Sequence, residues 1–355
     1  MRLALIASLC LLLACSESFP PASAVSEFRV VGAKVEVEGD PERANPDPDG
    51  AVEVSLLAID RGALPSETPE VPALTPALLQ WALIPCLPLN VTIGPPICLD
   101  PIDSCEGCVG PPADDPLATP VVRFPIPSQA ELDELDATNV SLQGVVCSNG
   151  TPDAEAIMRF LSGESDDLSP CGEPAIVPGT PIQGRFISVT IPIEDEPSDP
   201  NLNPELLNAL LNGAAWPPPY DQGVPRDAPR TGCASELEAL SEAERAAHPR
   251  AGDSPSTFDL YVTQESLQTY MFGDRELVEE IQLSWLGDGG GFERTFSFIT
   301  DPARSVLTQW QPASGAPEDG ELVRFNFVIR DGRGGVDWFE RGLCILPAVP
   351  EASPP

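Results

Sequence analysis

A helix tolerates proline only in its first turn, where the missing N–H would be unpaired anyway. This chain carries 43 prolines and 28 glycines among 355 residues, about a fifth of the whole. Few long helices can form under that density, and many turns and linkers are expected. Aromatic and aliphatic residues still cluster into strand-like runs, which argues against wholesale disorder. The length suffices for two ordinary domains, each with a core.

Period-two alternation locates the strands. In Leu322–Arg330, Val323, Phe325, Phe327 and Ile329 share one face. Val336–Leu346 returns from it across RDGRGG, with a bulge expected at Arg341-Gly342 where the alternation falters. Before them come Phe258–Val262, Glu280–Leu286 (Ile281, Leu283 and Trp285 on one face), Phe292–Phe298 and Val306–Trp310. Phe292, Phe296 and Phe298 are expected to share a face, and GDGGG at Gly287–Gly291 is a turn. In the N-terminal half, Phe28–Val37, Ala51–Ile59, Gln80–Cys86, Val121–Ile126, Asn139–Cys147 and Arg185–Ile193 read as strands. Short helices are expected at the Ser128–Glu131 capping box, over Asp153–Ser162, from Pro204 (capped by Asn203) to Gly213, and within Ser235–Ala247.

The expected fold is mainly β: two immunoglobulin-like β-sandwich domains with a few short helices and a proline-rich linker. The boundaries are a signal peptide at 1–14 and a tether at 15–26. An N-terminal domain then spans 27–196 and holds a cysteine- and proline-rich loop at 85–112. A partly helical linker covers 197–254, the C-terminal domain 255–347, and a tail 348–355.

The N-terminus reads as an export signal. A positive start, Met1-Arg2, precedes an apolar run, Leu3–Leu13, too short to span a bilayer. It leads into LLAC, Leu12–Cys15, which resembles the lipobox of bacterial lipoproteins. The resemblance implies cleavage before Cys15, lipid on its thiol and, with Ser16 next, delivery to the outer membrane. Each buried acyl methylene adds about 0.8 kcal/mol to such an anchor. Eight cysteines then remain: Cys86, Cys98, Cys105, Cys108, Cys147, Cys171, Cys233 and Cys344. An even number in an oxidising compartment reads as a disulfide framework. The expected pairs are Cys147–Cys171 and Cys233–Cys344, with the other four pairing among themselves. Zinc held by those four thiolates is the alternative, which export disfavours.

SWLGDGGGF and VRFNFVIRDGRGGVDW resemble the polycystic-kidney-disease-type immunoglobulin-like repeat, over about residues 255–346. Trp285 stands at the aromatic position before Gly287-Asp288-Gly289, and Asp331–Gly335 supplies the Asp-x-x-Gly-Gly turn. The family's tyrosine-rich strand is replaced here by WQPASGAPEDGELVRF. The whole chain also resembles surface lipoproteins of GC-rich Gram-negative bacteria, which open on an FRV strand after the lipobox and end in an RDGRGG hairpin. Together these imply a surface adhesion or spacer role and no catalytic residue.

A formal charge of −36, from 55 acids against 19 bases, excludes nucleic acid and anionic lipid surfaces as partners. RDGRGGVDW is no phosphate loop, since it lacks the lysine and leads into a strand. Gly332, Gly334 and Gly335 instead read as turn residues. NPDPDG offers Asn45, Asp47 and Asp49 as calcium ligands, with Glu53 assisting, but Leu56 stands where a bidentate Glu is required. Asp331 with Asp337 is a second weak cation pair. Calcium is the one cofactor left open.

Catalysis has little support. His248 is the only histidine, and it lies in the linker. Carboxylate pairs such as Asp166-Asp167 or Glu194/Glu196 arise by chance among 55 acids. The expected role is therefore a lipid-anchored structural spacer or adhesive, protein-binding module, not an enzyme. The alternative is a carbohydrate-binding or envelope-complex accessory subunit, with a carboxylate-pair hydrolase third. Expected partners are the membrane through the anchor, and envelope proteins or glycans. A sugar binder would use exposed aromatics, with Trp216, Tyr220, Trp310 and Trp338 as candidates.

Overall fold

The computed structural model describes residues 22–349, apart from 60–77, 90–96, 113–114, 116–117, 156–169, 174, 176–180, 195–199 and 227. Cys15, residues 156–162 of the expected Asp153–Ser162 helix and the pair Asp166-Asp167 lie outside the described residues.

The N-terminal sandwich follows from alternation. Strands β1 (Arg29–Val37) and β2 (Ala51–Ile59) are followed by β3 (Leu79–Leu89), β4 (Ile97–Pro101), β5 (Val109–Gly110) and β6 (Val121–Pro125). Helix α1 (Gln129–Glu134) starts at the Ser128 capping box, with Leu132 buried. Then come β7 (Asn139–Ser148), β8 (Thr151–Pro152), β9 (Cys171–Gly172) and β10 (Gln183–Pro192). One sheet has the order β1-β2-β6 and the other β10-β7-β3-β4, with β5 beside β3. Val35, Val54, Leu56, Val122 and Phe124 of the first pack against Trp81, Leu83, Val140, Leu142 and Ile191 of the second.

The C-terminal sandwich begins earlier than its sequence pattern suggests. Pro204–Gly213 is not a helix: β11 (Leu206–Leu211) pairs with β13 (Ser256–Val262) and, across a turn at Asn212-Gly213, with β12 (Ala214–Ala215). The Asn203 cap, the Pro204 start and the Gly213 stop favoured a helix, but Ala209 and Leu211 are buried as a strand in the shared core. Tertiary pairing overrides local propensity here. A separate hairpin, β14 (Thr269–Phe272) and β15 (Arg275–Val278), follows. The remaining strands are β16 (Ile281–Gly287), β17 (Gly291–Phe292), β18 (Phe296–Ile299), β19 (Val306–Gln311), β20 (Glu321–Arg330) and β21 (Val336–Ile345). The sheets are ordered β12-β11-β13-β19-β17 and β18-β16-β20-β21.

Matching β11, β13, β16, β18, β19, β20 and β21 to β1, β2, β3, β4, β6, β7 and β10 gives the same strand order in both halves. That order is the immunoglobulin arrangement of two facing antiparallel sheets.

Two local expectations fail for physical reasons. Phe292 lies in the core, but Phe296 and Phe298 are 48% and 52% exposed, with Ser297 and Ile299 inward. The chain crosses between sheets, pairing first with β19 and then with β16, so its parity resets. No bulge interrupts β21, whose register against β20 is continuous. Alternation falters there because Gly342 lies against another segment: a Cβ on it would come within 2.6 Å of Val224 and 2.9 Å of Tyr220.

That segment is the expected linker. Residues 216–255 connect β12 to β13 and wrap over β20 and β21. They include a 3-10 stretch (Cys233–Ala239) and α2 (Glu242–Ala246). Trp216 enters the main core, edge-on to Phe258 at 5.0 Å, and its Nε1 donates to the Gly342 carbonyl at 2.8 Å. Tyr220, Val224, Cys233 and Leu237 form a second layer with Leu322 and Cys344. His248 is buried too: Nε2 donates to the Pro218 carbonyl at 2.8 Å, and Nδ1 accepts from the Cys344 N–H at 3.2 Å.

Disulfides join Cys86–Cys98, Cys105–Cys108, Cys147–Cys171 and Cys233–Cys344. The last fastens the wrap to β21.

The two sandwiches meet along β1 and β21. Val25, Ile59, Leu286 and Val328 form a small apolar core between them, flanked by Leu57 and Trp338. Asn203 bridges the seam, its amide donating to Val35 at 2.7 Å while its oxygen accepts from Val336 N–H at 3.0 Å. Lys34 pairs with Asp337 at 3.4 Å, and Arg330 donates to the Val31 carbonyl. Residues 22–26 are no free tether: Ser23 and Val25 are buried, and Val25 N–H donates to Gly287 at 2.9 Å.

Candidate functional site

The seam, the wrap and the outer face of β20–β21 together line an open cleft of about 630 Å³. Leu57 lines it from the N-terminal sandwich, Pro219 and Gln222–Pro225 from the wrap, and Asn326, Trp338 and Glu340 from the sheet. Register explains the grouping. Asn326 pairs directly with Glu340, and Trp338 lies two residues before Glu340, on the same face of the strand. The half-buried Trp338 ring is seated against Gly32, where an added Cβ would come within 3.2 Å of it. Arg341 lies over the Phe339 ring at 4.3 Å on the cleft rim.

The polar groups of this cleft are unspent. Neither the Asn326 amide nor the Glu340 carboxyl makes a hydrogen bond to another described residue. Burial pushes Glu340 up to about 7, against the pull of Arg324 and Arg226 and with the push of Asp288. Asp288 is itself held in place, accepting from the Arg324 N–H at 2.8 Å and lying 3.7 Å from the Arg230 guanidinium. Burial raises its carboxyl as well. Arg230 also reaches Glu321 at 2.6 Å, so the GDGGG turn is anchored to the strand that carries Asn326.

The RDGRGG turn lies elsewhere, on the seam. Asp331 Oδ1 accepts the N–H groups of Arg333, Gly334 and Gly335 at 2.7, 3.1 and 2.9 Å. Burial raises this carboxyl, while those N–H groups and Asn201 lower it. Gly332 and Gly334 have φ of 82° and 123°, a region that favours glycine. Gly335 serves by close approach instead, since a Cβ there would fall 2.2 Å from Asp331 Oδ2.

The expected calcium ligands do not converge. Asp47 pairs with Arg43 at 2.8 Å and Glu53 with Arg123 at 2.5 Å. Asp49 occupies a turn at φ 62°, and Asn45 is buried with its Oδ1 unpartnered. Asp337 faces Lys34, apart from the Asp331 turn. Among the described residues, no three His, Cys, Asp or Glu groups are gathered to hold a metal. The four loop cysteines are spent in two disulfides, leaving no thiolates for zinc. Glu194 is buried and accepts from Asn201 N–H at 3.0 Å, whereas Glu196 lies outside the described residues.

Of the four aromatic candidates, Trp216, Tyr220 and Trp310 are buried, and Trp338 alone lines the cleft. Asn326 and Glu340 were missed because alternation marked their strands only for the core face. The signal available was the outer parity of the same hairpin, which places Asn326, Trp338 and Glu340 together.

No helix among the described residues is long and apolar enough to cross a membrane. No family model and no curated protein sequence matches the chain. Among solved structures, the Yersinia pseudotuberculosis adhesin InvE aligns at 9% identity and a TM-score of 0.21. The alignment covers 90% of this chain and 60% of that one.

Proposed function

We propose that this chain is a lipid-anchored outer-membrane protein. Its two joined sandwiches form a rigid spacer that presents an adhesive or protein-binding face, and it catalyses nothing. The supporting observation is the seam, where an apolar core, the Asn203 bridge and the Lys34–Asp337 pair fix one sandwich on the other. Rigid sandwiches hold their loops and strand faces in fixed relation, which suits recognition by surface complementarity. The anchor would be Cys15. Labelled palmitate should enter the native chain and not Cys15→Ser, which should leave the membrane fraction. Undiminished labelling of the variant defeats the anchor. Pull-down from intact outer membranes should recover the anchored chain with an envelope partner, and recovery of the chain alone defeats the adhesive role.

A further inference from the structure

We infer that the seam cleft is a binding site for a neutral sugar ring of a glycan, with Trp338 as the stacking platform and Asn326 and Glu340 as the hydroxyl-binding pair. This supplies a ligand class for the adhesive role proposed above, but it requires neither the lipid nor the membrane location. Three features of the cleft carry it.

The first is the pairing of groups. A pyranose presents adjacent hydroxyls, each both donor and acceptor, on an otherwise apolar ring. A carboxyl and a carboxamide side by side can accept from and donate to neighbouring hydroxyls at once. Asn326 and Glu340 are directly opposed across β20 and β21, and both lack a hydrogen-bond partner among the described residues. Asn326 is 6% exposed and lines the cleft, so its amide can exchange solvent for a ligand hydroxyl. The second is the platform. Trp338 is seated against Gly32 and lines the cleft, so a C–H-bearing sugar face can lie on it without reordering the ring. The third is size and charge. About 630 Å³ is within the range of small-ligand sites. A chain charge of −36 disfavours acidic sugars, which selects a neutral ring.

The test titrates the full chain, purified in detergent, with oligosaccharides of glucose, galactose, mannose and N-acetylglucosamine, and with oligogalacturonate as the acidic comparison. Calorimetry and tryptophan fluorescence read binding. At least one neutral series should bind, and Trp338→Ala and Asn326→Ala should each weaken it by about tenfold or more. Phe296→Ser, on an exposed face, should leave it unchanged. Asn326→Ala removes an amide with no hydrogen bond, so it keeps the test sound if Trp338→Ala disturbs the seam. Absence of binding across the neutral series, equal binding of oligogalacturonate, or binding indifferent to both cleft variants would overturn the inference. Palmitate labelling of Cys15 is read separately, so failure of the anchor and failure of the cleft are distinguishable.

Discussion

Glu340 lines the cleft and its carboxyl feels Arg324, Arg226 and Asp288, but burial is the largest influence on it. A carboxyl raised in the folded state contributes its full stability below the unfolded value and loses it as pH rises through the folded one. Here that window runs from the ordinary Glu value of 4.5 to about 7. A shift of that size corresponds to about 3 kcal/mol. His248 acts from the other side. Burial lowers it from 6.5, so its contribution is present above that value and is lost as pH falls. Replacing Glu340 by Gln should raise the urea midpoint at pH 8 and flatten the pH dependence between 5 and 8. An unchanged slope in denaturation curves across that range would show that Glu340 titrates normally. Little of this was legible in the sequence, where Glu340 is one acid among 55. Its environment comes from the wrap, which approaches β21 only after folding.

At the scale of elements, the sequence was read best where one face of a strand is buried and the other is not. The β20–β21 hairpin, with Val323, Phe325, Phe327 and Ile329 all in the core, is such a case. Reading failed where a segment changes sheets or borrows its neighbours. Phe296 and Phe298 kept the parity of Phe292 on paper and lost it in the crossing between β19 and β16. The prolines of the wrap suggested a linker because proline marks turns, yet a turn-rich segment can still lie in a core. Trp216 separates the two readings. A linker tryptophan replaced by Ala would change stability by under about 0.5 kcal/mol. Trp216→Ala should instead destabilise by about 3–5 kcal/mol, since the ring packs on Phe258, Phe325 and Phe327. Guanidinium denaturation distinguishes them, and a loss near zero returns the segment to linker status.

For the whole molecule, the repeated strand order makes two copies of one architecture, which no internal sequence repeat announced. Each copy has its own core, so cooperativity between them depends on the seam. Val328 is fully buried there, on β20, outside either sandwich core. The native chain should unfold in a single calorimetric transition. Val328→Asp places an uncompensated charge in the seam and should split the trace into two. Two transitions in the native chain would show that the seam couples nothing. The docking of residues 22–26 has a mechanical consequence. Tension arriving through the residues before them enters at Ser23 and Val25 and passes by shear through their backbone bonds to Gly287 into β16, then across β20 to β21. A ligand held on Trp338 sits at the far end of that line. The load therefore divides at Val25: one branch enters the C-terminal sandwich directly, and the other follows the chain through the buried Phe28 into the N-terminal sandwich.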